Sequence, residues 1–379
     1  MSKKLKLLYI EDDPANREGL VSVLSDESVC DYNIEVDAVD TFDGSLEKIQ
    51  NEKYHIIILD IYKGKPNNNV EAGIDILEKL QKICFVPIIF FSGNTINVQD
   101  LKSQIVGVVK KGDDGIEGLK KEIERLVKFN LPFVKENIYN HLEEEFRKYF
   151  WDIIHKERNI FKHDKADFSL GYLMLRRLSN SLSKEKIYKI LGDRTLEKDK
   201  IHPMEFYLYP TDATTEFESG EILKKGDDVY IILTPSCDFI ERFDKNGKSL
   251  GRKVGKILLA KTILLTNTDE YQCYFNTKKE DGSEKSNKEK ESDKKNLARL
   301  IKSSRSDRYF FLPQTPFIEN RIIDFQIKEI VDYENLIKDF TRLATLDNPF
   351  AQAMIASFIR YYNRIGYPDI DSDLIIKAL

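Results

Sequence analysis

The chain has few cysteines, no long apolar run and no signal-peptide pattern in its first residues. Its 379 residues include only four cysteines (Cys30, Cys84, Cys237 and Cys273), and their spacing does not match a metal site. No apolar run approaches the roughly 20 residues of a membrane span. The first residues lead straight into a strand pattern, without a signal-peptide core. These absences predict a cytoplasmic protein that does not enter a membrane.

An excess of charge of one sign is also missing. The chain has 59 Lys and Arg against 64 Asp and Glu, which gives a net charge of -5. This balance creates no general attraction to nucleic acid or to an anionic membrane, and it disfavours both as partners. The hydrophobic fraction of 41% supports real cores, and the length predicts two or three domains.

Polar side chains follow four short apolar runs in the first third of the chain. The runs span residues 7–10, 55–59, 87–91 and 106–109. The residues that come directly after them are, in chain order, Glu11, Asp12 and Asp13, then Asp60, then Ser92, and finally Lys110 and Lys111. Parallel strands would bring their carboxyl ends to one sheet edge, where ligands bind in open α/β sheets. Carboxylates, a hydroxyl and a lysine at that edge suit a divalent cation and a phosphoryl group.

The order and spacing of these residues, over about positions 4–128, resemble the receiver domain of two-component response regulators. The resemblance implies an α/β fold with a five-stranded, doubly wound, flavodoxin-like parallel sheet. It implies phosphorylation of Asp60 by a sensor histidine kinase or a phosphotransfer protein, with Ser92 and Lys111 contacting the phosphoryl group. It assigns a Mg²⁺ ion to Glu11, Asp12, Asp60 and Tyr62. A simpler reading, acids at a helix start, suits Asp13 before Pro14 but does not account for Asp60.

The sequence departs from the family pattern beside the acceptor. The matching glycine, Gly73, lies further from Asp60 than is usual in the family. The intervening residues 62–69 are rich in turn formers, so we predict an enlarged loop there.

The fourth apolar run also ends atypically. The proline that usually follows the lysine is absent, since Lys110 precedes Lys111 and Gly112 comes next. Spacing to the next helix favours Lys111 as the phosphoryl-binding lysine, with Lys110 as the alternative. Gly107 or Val108 stands where the family has an aromatic switch residue. The usual relay from hydroxyl to aromatic ring is therefore in doubt.

The patterns divide the chain into a receiver domain (1–130), a helical connector (131–200) and a β-rich output domain with a C-terminal helix (201–379). In the first part, helices are expected at 71–83, 97–104 and 115–128. The connector has helical spacing over 134–154 and 168–180, with a further helix starting near Ser181 and Ser183. It serves either as an ordinary packed subdomain or as the interface of a homodimer.

The output domain is expected to form an α+β unit around a small barrel-like or curled sheet, with a helix starting at Asp347-Asn348-Pro349. Segment 278–295 has no apolar residue, so it is expected to be a mobile, solvated loop. A modest basic cluster follows, composed of Arg299, Lys302, Arg305 and Arg308.

The output domain also contains residues that could form a second active site. Cys237 and Asp238 end an apolar run and would suit a nucleophile and an orienting acid, with His202 as the base. A tight structural turn is the competing interpretation, and free cysteines are more often buried than catalytic. The domain has no helix-turn-helix, kinase, P-loop or two-histidine metal pattern. Control of an effector protein is therefore favoured as output over a phosphorylation-switched enzyme, such as a nuclease in stress or phage defence, and over nucleic-acid regulation.

Overall fold

The computed structural model describes residues 3–61, 72–112, 115–157, 170–182, 184–191, 201–212, 214–279, 281–364 and 371–378. The chain divides into two compact units, Met1–Asp199 and Lys200–Leu379. The connector helices thus fall in the same unit as the N-terminal sheet. Within the described ranges, no helix has the length and apolar character needed to cross a membrane.

The N-terminal unit is built on one sheet. Its strands are β1 (Lys3–Ile10), β2 (Ser28–Val29), β3 (Tyr32–Val39), β4 (Ile56–Leu59), β5 (Ile88–Ser92) and β6 (Val106–Lys110). Their order is β2-β3-β1-β4-β5-β6, and all neighbours are parallel except β2 and β3. Without the two-residue β2, this is the flavodoxin-like order. The predicted five-stranded, doubly wound α/β fold is confirmed.

Helices cover both faces of this sheet, which explains why β4 is buried at every position. They are α1 (Pro14–Ser25), α2 (Phe42–Asn51), α3 (Ala72–Ile83) and α4 (Gly115–Lys128). Leu119 and Ile123 of α4 lie in one core, and Leu77 and Leu80 of α3 lie in the other. The helix expected at 97–104 is instead a single 3₁₀ segment, Ile96–Leu101, whose preceding Thr95 makes no side-chain cap.

The connector is helical, as expected. It contains α5 (Val134–Lys148), a π-helical turn that continues it (Tyr149–His155), α6 (Leu170–Ser181) and α7 (Lys184–Leu191). Ser183, a predicted cap residue, lies outside the described residues. Phe133, just before α5, stacks on Tyr32 of β3 with ring centroids 4.5 Å apart. Glu136 of α5 lies 3.5 Å from Nε2 of His55. The start of α5 is therefore attached to the sheet.

The C-terminal unit contains a second, larger sheet. Its strands are β7 (Tyr207–Leu208), β8 (Glu221–Lys225), β9 (Asp228–Ile232), β12 (Lys256–Leu264), β13 (Tyr309–Leu312), β14 (Arg321–Asp332) and β15 (Thr341–Leu346). They are ordered β13-β14-β12-β9-β8-β15-β7, so β13 and β7 stand at opposite ends of the described sheet. Strands β10 (Arg242–Phe243) and β11 (Ser249–Gly251) form a separate hairpin.

In the described part of this unit, α-helices accompany these strands. They are α8 (Asp269–Phe275), α9 (Asn287–Ile301), α10 (Tyr333–Asp339), α11 (Phe350–Tyr362) and α12 (Ser372–Ile376). Met354 and Tyr361 of α11 lie in the core under the sheet, together with Phe325 and Ala344. The predicted α+β fold of this unit, with a C-terminal helix, is thus confirmed. The sequence patterns did not predict strand β15 or the helices α8, α10 and α12.

The prediction of a mobile loop at 278–295 is wrong, because α9 begins at Asn287. Ser286 and Glu289 form a reciprocal capping box, and Lys285 pairs with Asp293 at 2.7 Å. The apolar residues that anchor the helix, Leu297 among them, come after the charged segment. A search for apolar residues inside the segment therefore could not detect the helix.

Helix α9 lies beside the edge strand β13. Leu297 and Leu300 share a small core with Phe311 of β13. After the helix, Ser303 accepts a hydrogen bond from the backbone N–H of Phe311 at 2.9 Å through its Oγ. The charged segment thus belongs to an element that covers a sheet edge.

We expect Ser286→Ala to loosen the first turns of α9. Losing a serine cap costs about 1 kcal/mol, which corresponds to roughly fivefold faster amide exchange across the helix if opening is local. Hydrogen-exchange mass spectrometry of residues 290–296 measures this exchange rate. Asn287→Ala, at an exposed position without a capping bond, is the matched control. Unprotected exchange of this segment in the wild-type chain would contradict the helix.

Candidate functional site

Strand register brings the acidic residues together. Ile10 of β1 is paired with Leu59 of β4, so the residues that follow these strands emerge at one edge. They are Glu11 on one side and Asp60 on the other. The backbone N–H of Asp60 donates to the carbonyl of Ile10 at 3.0 Å, which extends the pairing by one residue. The predicted convergence of carboxylates thus follows from the parallel pairing.

The neighbouring strands deliver the hydroxyl and the lysine. Ser92 ends β5 and is paired with Lys110 of β6. The next residue, Lys111, turns its ammonium to the acids: Nζ donates to Oδ2 of Asp60 at 2.8 Å and also bonds to Glu11. Lys110 is exposed to solvent. Of the two candidate lysines, Lys111 is the one at the carboxylates.

The carboxylates keep Lys111 charged. Burial opposes the positive charge, yet the hydrogen bonds and charges of Asp60 and Glu11 outweigh this effect and raise the pKa of Lys111 above its usual value. The ammonium is therefore a permanent positive charge in the pocket. It partly offsets the negative charges of Glu11 and Asp60, the two acids to which it bonds.

Glu11 is the most buried of the acids, with its side chain only 1% exposed. Its Oε2 receives the phenol O–H of Tyr9 at 2.5 Å as well as the ammonium of Lys111. Within the described residues, its Oε1 accepts one long bond, 3.4 Å, from the N–H of Asp13. Burial, followed by the bond to Glu11, raises the pKa of Tyr9, so the phenol keeps its proton. Oε1 is thus the oxygen with spare capacity for a ligand.

The three acids fit a divalent cation. One carboxylate oxygen each from Glu11, Asp12 and Asp60 lies within 4.8 Å of the others. An all-oxygen cluster of this kind suits Mg²⁺, which keeps several waters and needs few protein ligands. Arg17 of α1 holds the turn by donating to the carbonyls of Glu11 and Asp12. Tyr62, the fourth predicted ligand, lies outside the described residues, as does the enlarged loop.

Ser92 offers a hydrogen-bonding atom beside the same pocket. Its side chain is buried, and its Oγ has no hydrogen-bond partner within the described residues. Its carbonyl accepts the N–H of Lys111 at 2.8 Å, which fixes the two residues relative to each other. A buried hydroxyl without a partner is costly, and an oxygen-rich ligand would satisfy it.

The helix-start interpretation holds for Asp13 alone. Its Oδ1 accepts the N–H of Asn16 at 2.9 Å, and Pro14 occupies the first position of α1. Glu11 and Asp12 precede this cap and point to the cluster with Asp60 instead. Capping and ligand binding thus use different residues of the acidic run.

Strand β6 lacks an aromatic switch, as the sequence indicated. Val108 is buried in the apolar core under α3. Gly107 lies against Glu122 of α4, where an added Cβ would come within 2.6 Å of Oε1. Arg125 holds that carboxylate at 2.7 Å. This face of β6 is filled by an ion pair.

The possible second site does not assemble. Cys237 is exposed, and its Sγ lies 3.6 Å from Oδ1 of Asp238. His202 instead caps a 3₁₀ turn, with its Nδ1 accepting the N–H of Met204. In the described part of the chain, no hydrogen bond joins His202 to Cys237.

Tyr9 is the site residue that sequence patterns missed, since it sits inside an apolar run. We expect Tyr9→Phe to lower the free energy of unfolding by about 2 kcal/mol, because it removes a buried hydrogen bond to a charged group. Urea denaturation measures the change. Tyr139→Phe, at an exposed tyrosine of the same unit, should have little effect. Equal stability of the two variants would show that Tyr9 does not hold Glu11.

Comparisons with known proteins bear on the N-terminal region. No family model matches the chain. The sensory transduction protein LytR of Staphylococcus haemolyticus is 31% identical over 88 residues, which cover 23% of this chain and only 31% of that protein. Among solved structures, the response regulator TrrA of Thermotoga maritima, in complex with Mg²⁺-BeF, is 24% identical. The match covers 32% of this chain and 98% of TrrA, with a TM-score of 0.27.

The chemotaxis response regulator CheY4 of Vibrio cholerae is 20% identical, covering 33% of this chain and 99% of CheY4, with a TM-score of 0.25. The strand order of the N-terminal sheet and the sequence similarity to LytR agree on the architecture. The N-terminal region therefore has the fold of a response-regulator receiver domain.

Proposed function

We propose that this chain is a cytoplasmic response regulator whose receiver domain accepts a phosphoryl group on Asp60. The observation that carries the proposal is the cluster of three carboxylates with the Lys111 ammonium 2.8 Å from Asp60. Mg²⁺ would be held by Glu11, Asp12 and Asp60, and when bound it would offset the charge of the incoming phosphoryl group. A receiver implies a sensor histidine kinase or a phosphotransfer protein as the donor.

In the transfer, a carboxylate oxygen of Asp60 attacks phosphorus. The bond between phosphorus and the donor nitrogen or oxygen breaks, and its electron pair leaves with the donor. The resulting acyl phosphate adds negative charge and new acceptor oxygens at the sheet edge. Lys111 is within reach of that charge already, because it bonds to Asp60. The Ser92 hydroxyl can donate to one of the new oxygens.

The signal then needs a route other than an aromatic switch. Phosphorylation would draw Lys111 away from Glu11 and towards the phosphoryl oxygens. It would draw Ser92 towards the same oxygens, and so move the ends of β5 and β6. Strand β6 carries Gly107, against which the Glu122 carboxylate of α4 rests. We propose that a shift of α4, rather than rotation of a ring, transmits the change.

For the output, the contacts favour control of a protein partner over binding of nucleic acid. Two of the four residues in the basic cluster are neutralised within the C-terminal unit. Arg308 makes two hydrogen bonds to Asp324, and Arg305 pairs with Glu270. Paired arginines contribute less to phosphate binding, which depends on free positive charge.

We expect the wild-type chain to be labelled by acetyl phosphate with Mg²⁺ and Asp60→Asn to remain unlabelled, because the amide cannot act as the nucleophile. Phosphate-affinity electrophoresis measures the phosphorylated fraction. EDTA should abolish labelling of the wild type. Asp13→Asn is the matched control, since asparagine caps a helix as well as aspartate and this carboxylate lies outside the cluster.

The proposal is wrong if Asp60→Asn is labelled as strongly as the wild type. It is equally wrong if the folded wild type accepts phosphate neither from acetyl phosphate nor from a kinase encoded beside it. Loss of labelling in Asp13→Asn as well would place the acceptor assignment in error.

A further inference from the structure

We propose that the C-terminal unit binds a small molecule through a phosphate or carboxylate group, in a cavity built around Arg321. The cavity has a volume of about 650 Å³, within the range of small-molecule sites. Its lining includes Lys224, Thr315, Phe317 and Glu319 as well as Arg321. All of these residues belong to the C-terminal unit, so the site is independent of the receiver.

Arg321 is fixed at the start of β14, between Leu264 of β12 and Leu312 of β13. Its side chain is only 10% exposed. One terminal nitrogen donates to Oγ1 of Thr262 and the other to Oε2 of Glu319, each at 3.2 Å. Its Nε is buried and has no partner within the described residues. The guanidinium therefore has an unused donor.

Two other arginines of this unit, unlike Arg321, are bonded to buried carboxylates. Arg308 is bonded through two nitrogens to Asp324, whose side chain is 4% exposed. Arg342 is likewise paired with Glu221, which is fully buried. By contrast, the partner of Arg321 is a glutamate with a 69% exposed side chain. Exposed ion pairs contribute little, so Glu319 is replaceable.

The geometry of the guanidinium defines the ligand group. Nε and one terminal nitrogen of Arg321 lie on the same edge and match two oxygens of a carboxylate or phosphate. Thr315 lines the same cavity, and its buried Oγ1 also has no partner in the described part of the chain. Both atoms are buried. Glu319 already bonds to a terminal nitrogen of Arg321, so the ligand has to displace the Glu319 carboxylate. Lys224 and Asp227 also line the cavity, and their charges offset each other.

The test is isothermal titration calorimetry of the full-length chain with inorganic phosphate, citrate and AMP at constant ionic strength. We expect saturable binding of at least one probe with one site per chain. Binding of phosphate and AMP identifies a phosphate ligand, whereas binding of citrate alone identifies a carboxylate ligand.

Variants locate the binding. Arg321→Lys loses the two-donor edge and should weaken binding about tenfold or more, as should Thr315→Val, which keeps the shape of the side chain. Glu319→Gln removes the competing carboxylate and should tighten binding. Glu291→Gln, an exposed carboxylate of α9 that does not line the cavity, should leave the dissociation constant unchanged.

Absence of saturable binding for all three probes would overturn the proposal. So would an unchanged dissociation constant in Arg321→Lys with a native circular dichroism spectrum. If Arg321→Lys fails to fold, Thr315→Val and Glu319→Gln provide the test. An unchanged dissociation constant in both variants would reject the proposed site. If Glu291→Gln and Glu319→Gln increase the affinity equally, the increase comes from the net charge of the protein, and the site is also rejected.

Discussion

A buried carboxylate has to be compensated, and the N-terminal unit is organised around this need at Glu11. Taking such a group out of water is costly unless it is paired and hydrogen-bonded. Tyr9 of β1 and Lys111, the residue after β6, both bond to it. Lys111 can do so only if β6 ends level with β1. The electrostatic requirement and the parallel register therefore depend on each other, and Asp60 takes part in the same arrangement.

Much of this unit was predictable because parallel strands leave continuous apolar runs, and their ends are visible in the sequence. Asp60 and Ser92 were found in this way. The choice between Lys110 and Lys111 was harder, since adjacent residues point to opposite sides and one shift of register reverses them. Tyr9 was hidden because its hydroxyl lies within an apolar pattern. Helix α9 was missed because its anchoring residues follow the charged segment, and Arg321 because pairing is a three-dimensional property.

The two units treat buried charge differently. In the N-terminal unit the charges converge at one sheet edge, where the Lys111 ammonium is shared between acids that follow two other strands. In the C-terminal unit the arginines are distributed, and Arg308 and Arg342 each have a carboxylate of their own. Shared charge can be redistributed when a ligand arrives, whereas dedicated pairs mainly fix structure. This contrast fits an N-terminal unit that changes state and a C-terminal unit with a more rigid frame.

The edges of the larger sheet have a consequence for how the protein behaves at high concentration. Exposed strand edges invite pairing with another chain and hence aggregation. At one end β7 has only two residues, which offers little to pair with. At the other, α9 packs on β13, and the Ser303 hydroxyl accepts the N–H of Phe311 that a foreign strand would otherwise use. The lysine- and glutamate-rich helix thus protects a vulnerable edge against self-association.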